Sequence, residues 1–304
     1  MKKDLLSIQG ISAKEITEVL DLASDVKKNS AKYSDALKSK SIGLIFQKPS
    51  NRTRVSFEIG MFQLGGHTIY LGSSEIGMGG RESVKDVACV LSRYLNGIVA
   101  RTHKHEVVEE LARYATIPII NGLSDTAHPC QALGDMFTIR ERFGKLSGVT
   151  LAYIGDGNNV LNSLMIAALK LGVSVNVATP KAYAPDKDIV SIAESCAKAS
   201  GAKISISNDP AAAAKNADVL YTDVWVSMGQ EKEAAKRVKA FKAFQLNDNV
   251  LKKAKMTCAV MHCLPAHRGQ EITDSVMDSN HSIVYDQAEN RMHVQKAVLL
   301  KLLK

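Results

Sequence analysis

The chain has 304 residues and a mass of 32.9 kDa, more than one ordinary compact domain, so two domains are expected, each able to close a core without a disulfide or metal staple. Hydrophobic residues make up 45% and charged residues 23%, which argues against long disordered tails, and no apolar run approaches the ~18 residues of a membrane span. Lys and Arg outnumber Asp and Glu by 39 to 31, a balance that suits a nucleic acid, an acidic membrane or a small anionic substrate; with 5% aromatics and none interleaved with basic runs, the chain lacks the means to stack on single-stranded bases.

From the N-terminus, Met1-Lys2-Lys3-Asp4 leads into no signal-like apolar core, so a cytoplasmic protein is expected. Strands are expected at Ser41–Phe46, 97–100, 118–120, Thr150–Ile154, Ser174–Ala178, Val219–Thr222 and Ala259–His262, separated by amphipathic stretches such as 107–115 and 158–171. Strand-then-helix alternation predicts an α/β protein of two doubly wound parallel-sheet domains with an interdomain active-site cleft. The helix Pro129–Phe143 ends at Gly144, a C-cap residue, and is expected to bridge the domains. The expected division is residues 1–143, 144–289 and a final helix, 290–304, that packs back on the first domain. The five cysteines (Cys89, Cys130, Cys196, Cys258, Cys263) are odd in number and form no CxxC, which fits reduced thiols; four are expected to be small buried apolar residues.

Five motifs at strand ends could carry chemistry. Ser50-Asn51-Arg52-Thr53-Arg54 opens a helix directly after a strand, where unpaired N–H groups and a positive dipole end await an anion. Arginines there oppose the dipole, so capping explains them poorly, whereas a phosphate would use their planar forks. His128-Pro129-Cys130-Gln131 starts another helix, so a neutral His128 and Gln131 three residues on could address one ligand, with Arg101 at a strand end supplying charge. Gly155-Asp156-Gly157-Asn158-Asn159 resembles a dinucleotide turn, but Val160 stands where a third glycine belongs and no acidic residue closes the next strand, so NAD is not expected. Asp223-Val-Trp225-Val-Ser227-Met228-Gly229 could pair an ammonium and a carboxylate, or be an ordinary loop. His262-Cys263-Leu264-Pro265-Ala266-His267-Arg268-Gly269 suggests zinc, yet all three candidate ligands fall within six residues and no distant fourth is evident. Arg291 lies near the start of the last helix.

In this order the motifs SNRTR, HPCQ, GDGNN, DVWVSMG, HCLPAHRG and ENRMH resemble those of the ornithine carbamoyltransferases along essentially the whole chain. The resemblance implies transfer of the carbamoyl group of carbamoyl phosphate to L-ornithine, giving L-citrulline and phosphate in arginine metabolism, without metal or cofactor, by a homotrimer that binds no nucleic acid or membrane. It assigns carbamoyl phosphate to Ser50, Asn51, Arg52, Thr53, Arg101, His128, Gln131 and Arg291. Ornithine falls to Asn159, Asp223, Ser227, Met228, Cys263 and Leu264, and catalysis to Arg101, His128 and Cys263. It also implies a cis peptide between Leu264 and Pro265. Two positions depart from the pattern: Asn51 replaces the first threonine of STRTR, and Gly77 stands where a glutamine is frequent, with Arg81 nearby as a substitute. The competing readings are a carbamoyltransferase for N-acylornithine or putrescine, and a non-catalytic binding relative.

Overall fold

The structure is a computed structural model that describes residues 3–227 and 229–304. The chain forms two compact units: one runs to Phe137 and takes in Glu289–Lys304, the other is Thr138–Ala288. The division falls inside the helix Pro129–Phe143, after which Gly144 has a φ of 72°.

In the first unit β1 (Ser41–Phe46), β2 (His67–Gly72), β3 (Gly97–Arg101) and β4 (Ile119–Leu123) form a parallel sheet in the order β2-β1-β3-β4. In the second, β5 (Thr150–Ile154), β6 (Ser174–Ala178), β7 (Ile204–Ser207), β8 (Val219–Thr222) and β9 (Ala259–His262) pair in parallel as β7-β6-β5-β8-β9. All residues of β3 and β8, and nearly all of β1 and β5, are buried, as expected of strands covered on both faces and written as continuous Val/Ile/Leu runs. Three strands lack that signature, among them β6, whose Ser-Val-Asn-Val-Ala alternates in burial. β2 and β7 are edge strands with mixed burial, so His-Thr-Ile-Tyr and Ile-Ser-Ile-Ser do not stand out as apolar runs. The expected strand at 118–120 lies instead at Ile119–Leu123, because Pro118 has no N–H to give a ladder.

The helix Asn159–Lys170 buries nine of its residues, Val160, Leu161 and Ser163–Leu169 among them, and its apolar character on all sides follows from that position. The last helix, Val284–Leu303, starts six residues before the expected position 290. In the first unit its Lys296 Nζ donates to Gln63 Oε1 at 2.9 Å, Lys27 Nζ donates to its Asn290 Oδ1 at 2.8 Å, and Lys301 pairs with Glu18. Of the cysteines only Cys130 and Cys258 are buried; Cys89 is exposed and Cys196 half-buried, which corrects the expectation of four buried thiols. Both lie on surface helices, where a small side chain is tolerated without burial. Among the described residues no helix is long and apolar enough to cross a membrane.

Candidate functional site

Open parallel sheets bind ligands beyond the carboxyl ends of strands, where the strand order reverses. Those reversals lie between β1 and β3 in the first unit and between β5 and β8 in the second. Phe46 pairs with Arg101 at the ends of β1 and β3, so the SNRTR segment and Arg101 leave the sheet side by side. Thr222 pairs with His262 at the ends of β8 and β9, which makes Asp223 and Cys263 neighbours in the same way.

In the first unit Ser50 is the extended N-cap of the helix Asn51–Gln63; its hydroxyl accepts from the Thr53 N–H at 3.4 Å and donates to Thr53 Oγ1 at 3.1 Å. Arg291 donates to the same Thr53 oxygen at 2.9 Å across 238 residues of sequence. Thr53, Arg101, His128, Gln131 and Arg291 are all buried, Arg52 is half-buried, and Asn51 is exposed on the first turn. Burial, followed by the charges of Arg291, Arg101 and Arg52, pushes the His128 imidazole well below its ordinary 6.5. His128 is therefore neutral at physiological pH and able to donate a hydrogen bond to a ligand beside three guanidinium groups, an arrangement suited to a multiply charged anion that also carries a carbonyl. Gln131 Nε2 donates to Asp135 Oδ1 at 2.8 Å, while its buried Oε1 has no partner among the described residues and can accept from a ligand N–H. Cys130 is a packing residue: its thiol is fully buried, lies 3.6 Å from the Asn121 carbonyl, and is pushed up to about 12.

The departure at residue 77 has a local cause. Gly77 ends the short helix Ser73–Ile76 in the left-handed region (φ 59°, ψ 27°), which a glutamine adopts at a cost, and a Cβ there would lie 3.0 Å from Arg81 Cβ. The Arg81 guanidinium donates to the Glu75 carbonyl at 3.0 Å, within its own turn.

In the second unit Asp223 is buried and gathers three donors: Asn158 Nδ2 at 2.7 Å, Cys263 Sγ at 2.9 Å and the Val224 N–H at 2.8 Å. The thiol hydrogen thus points at the carboxylate. Asn158, which precedes the proposed ornithine residue Asn159, makes this contact, and its Oδ1 also caps the Asn159–Lys170 helix through Val160 and Leu161 N–H. Ser227 is half-buried, with its N–H on Gln230 Oε1 at 3.0 Å; Met228 lies outside the described residues. The Leu264–Pro265 peptide is cis, as expected, and Leu264 itself has a φ of 59°. A leucine in the left-handed region is held there by its surroundings. Its N–H donates to His262 Nδ1 at 2.8 Å, and the opposite nitrogen of that fully buried ring donates to Glu271 at 3.1 Å. Asp223, His262 and Cys263 offer ligand atoms within 4.8 Å of one another, yet both His262 nitrogens are already engaged, so the trio is not a ready metal site.

Sequence reasoning missed Asn158, Glu271, Asp156 and Arg237. Only Asn158 carried a usable signal, since an asparagine before an apolar helical run is a standard N-cap. Asp156 and Arg237 form a buried ion pair across 81 residues of sequence, a spacing that no motif encodes.

Residues 3–141 match the family model described as aspartate/ornithine carbamoyltransferase, carbamoyl-P binding domain, and residues 147–302 match the one described as aspartate/ornithine carbamoyltransferase, Asp/Orn binding domain. The chain is 52% identical over 299 residues to the anabolic ornithine carbamoyltransferase of Pyrococcus furiosus, covering 98% of this chain and 95% of that protein. It is also 52% identical over 303 residues to the ornithine carbamoyltransferase of Archaeoglobus fulgidus, covering 99% and 97%. Among solved structures, that of the Pyrococcus furiosus ornithine carbamoyltransferase superposes with a TM-score of 0.96 over 99% of this chain and 97% of that one. The Thermus thermophilus enzyme, 46% identical, gives 0.90 over the full length of both.

Proposed function

The chain belongs to the aspartate/ornithine carbamoyltransferase family, and from that membership we propose that it transfers the carbamoyl group of carbamoyl phosphate to the side-chain amine of L-ornithine, giving L-citrulline and phosphate. One observation carries the reading: a neutral histidine ringed by Arg52, Arg101 and Arg291 in one unit, and a carboxylate bonded to a thiol in the other. The first suits an anionic carbamoyl donor, the second an amino acid bearing an ammonium. An aspartate substrate would bring its side-chain carboxylate to Asp223 and be repelled, which together with the relatives' names favours ornithine.

In this reading residues 1–143 bind carbamoyl phosphate, residues 144–289 bind ornithine, and residues 290–304 return Arg291 to the first group. Ser50, Asn51, Arg52 and Thr53 hold the phosphate with helix N–H groups, hydroxyls and a guanidinium. Arg101 and His128 donate to the carbamoyl oxygen, and Gln131 Oε1 accepts from the carbamoyl amide. Asp223, Asn159, Ser227 and Met228 hold the ornithine α-amino and α-carboxylate groups, while Cys263 and the Leu264 carbonyl orient the reacting amine. That amine has an ordinary pKa near ~10.4 and must be neutral to attack, a form favoured by leaving water. As it adds to the carbamoyl carbon, charge develops on the oxygen facing Arg101 and His128; as the C–O bond to phosphate breaks, the phosphate takes up the proton the amine gives up, and Arg52 and Arg291 offset its charge. The chemistry requires no metal or cofactor. The word anabolic in one relative's name supports the direction of arginine synthesis; cysteines without a disulfide among the described residues fit a reducing, cytoplasmic setting.

Incubation of the purified protein with carbamoyl phosphate and, separately, ornithine, N-acetylornithine, putrescine and aspartate tests the assignment. Citrulline and phosphate in equal amounts, well above the other ureido products, are expected. A preference for another amine would leave the first cluster's role intact and overturn the second's.

A homotrimer is part of the same proposal. Val55, Ile59 and Phe62 recur at i, i+4 and i+7 on the helix Asn51–Gln63 and are exposed, as are Ile69 on edge strand β2 and Val90 and Tyr94 on the helix Val84–Tyr94. An apolar face of this kind favours burial against another copy. Sedimentation should give three times the 32.9 kDa chain mass, and Phe62→Glu should shift it toward the monomer; a monomeric parent protein would refute the trimer.

A further inference from the structure

Arg237, on the helix Ala234–Phe241, is 4% exposed and ties together two segments far apart in sequence. Its Nε donates to the Trp225 carbonyl at 2.5 Å, and its Nη2 donates to Asp156 Oδ2 in a buried ion pair. The guanidinium lies 4.6 Å from the Tyr183 ring centre and 5.4 Å from that of Phe241, on which Trp225 also stacks. From Asp156 the chain passes through Gly157 to Asn158, whose amide holds Asp223 at 2.7 Å; from Asp223 two residues lead back to Trp225. The contacts close a ring that includes the buried carboxylate. Gly157 leaves the turn little freedom: its N–H donates to the Tyr183 carbonyl at 2.9 Å, and a Cβ would fall 2.5–2.6 Å from backbone atoms of Tyr183, Ala184 and Pro185.

We propose that Arg237 is a positioning residue for the amine substrate: by holding the Asp156 carboxylate and the Trp225 carbonyl on one planar fork, it ties the Gly155–Gly157 turn to the 223–227 loop and so sets where Asp223 and Ser227 stand. The proposal rests on the reading of Asp223 and Ser227 as the ornithine site. A lysine, with a point charge in place of a fork, cannot reproduce two bonds to acceptors on different segments. Asp156 makes the clamp responsive to pH. Burial raises its carboxyl to about 6 against the opposing pull of Arg237, with the Asp223 charge adding to the rise and the Gly157 N–H opposing it. Tyr153 on β5 is a further titratable group linked to it, and Asp223 and Cys263 act on that phenol as well. Below about 6 the neutral Asp156 releases its charge-assisted hold on Arg237.

The only tryptophan in the chain is Trp225, so its emission reports on the clamp whether or not the enzyme turns over. Full-length wild type, Arg237→Lys, Arg237→Gln and Asp156→Asn would be compared in ornithine KM, carbamoyl phosphate KM, melting temperature and Trp225 emission between pH 5 and 8. Both Arg237 variants are expected to raise the ornithine KM on the order of 10- to 100-fold with the carbamoyl phosphate KM unchanged. Wild-type emission should shift with a midpoint near about 6, a transition absent from Asp156→Asn. An unchanged ornithine KM, or both KM values moving together with the melting temperature, would overturn the positioning role. Should Arg237→Gln not fold, Asp156→Asn, which keeps the bond to Trp225, carries the same comparison. If the wild type makes no citrulline, the functional reading fails, and emission identical in wild type, Arg237→Lys and Asp156→Asn across the pH range overturns the clamp separately.

Discussion

Replacing Arg101 with methionine is expected to lower kcat for citrulline formation on the order of 10²- to 10³-fold, the usual cost of removing one donor that faces a developing oxyanion. Methionine keeps much of the length and packing of the arginine stem, so the loss should appear in kcat and kcat/KM with little change in melting temperature. The pH profile supplies a second signature. Arg101 is one of three cations that, after burial, hold His128 below 6.5, so its removal should let the imidazole rise toward that value. The acid limb of the rate profile should then move toward neutrality in the variant. The same depression links folding to pH: as pH falls through 6.5 the unfolded imidazole takes up a proton that the folded one refuses, so the stability contributed by neutral His128 is lost on acidification. A variant with wild-type kcat would remove Arg101 from the chemistry.

Asp223→Asn should raise the ornithine KM about 10²-fold and leave the carbamoyl phosphate KM unaltered, because it removes the charge proposed to meet the ornithine ammonium; its one oxygen can still accept from Cys263 and the Val224 N–H, while Asn158 loses its acceptor. Selectivity should fall as well. N-acetylornithine has no ammonium to pair with Asp223, so the gap between it and ornithine should narrow in the variant. Initial rates with both amines at saturating carbamoyl phosphate measure this, and an unaltered gap would place recognition of the α-amine elsewhere.

β1, β5 and β8 were legible because a strand buried on both faces must be an unbroken apolar run; β9, though an edge strand, is buried throughout and reads the same way, and β6 shows in its alternating Val175 and Val177. The edge strands β2 and β7 were not, since half-exposed positions admit His, Thr and Ser. The helix Pro129–Phe143 was read from end to end because proline and glycine punctuate it, whereas nothing marks Val284 as a start and the last helix was read too short.

In the candidate site, most residues legible from sequence stand at a strand end or the first turn of a helix, where the local chain already dictates exposed N–H groups and a dipole. Ser50, Thr53, His128 and Asp223 belong to that class. The tertiary structure alone decided that Arg291 bonds Thr53, that Asn158 holds Asp223, and that His262 is spent on Glu271 and the Leu264 N–H. It also joined Asp156 to Arg237. The reason is physical. A cap or turn is written in a few adjacent residues, but a partner 81 or 238 residues away is chosen by packing, which brings side chains together without leaving any periodicity between them.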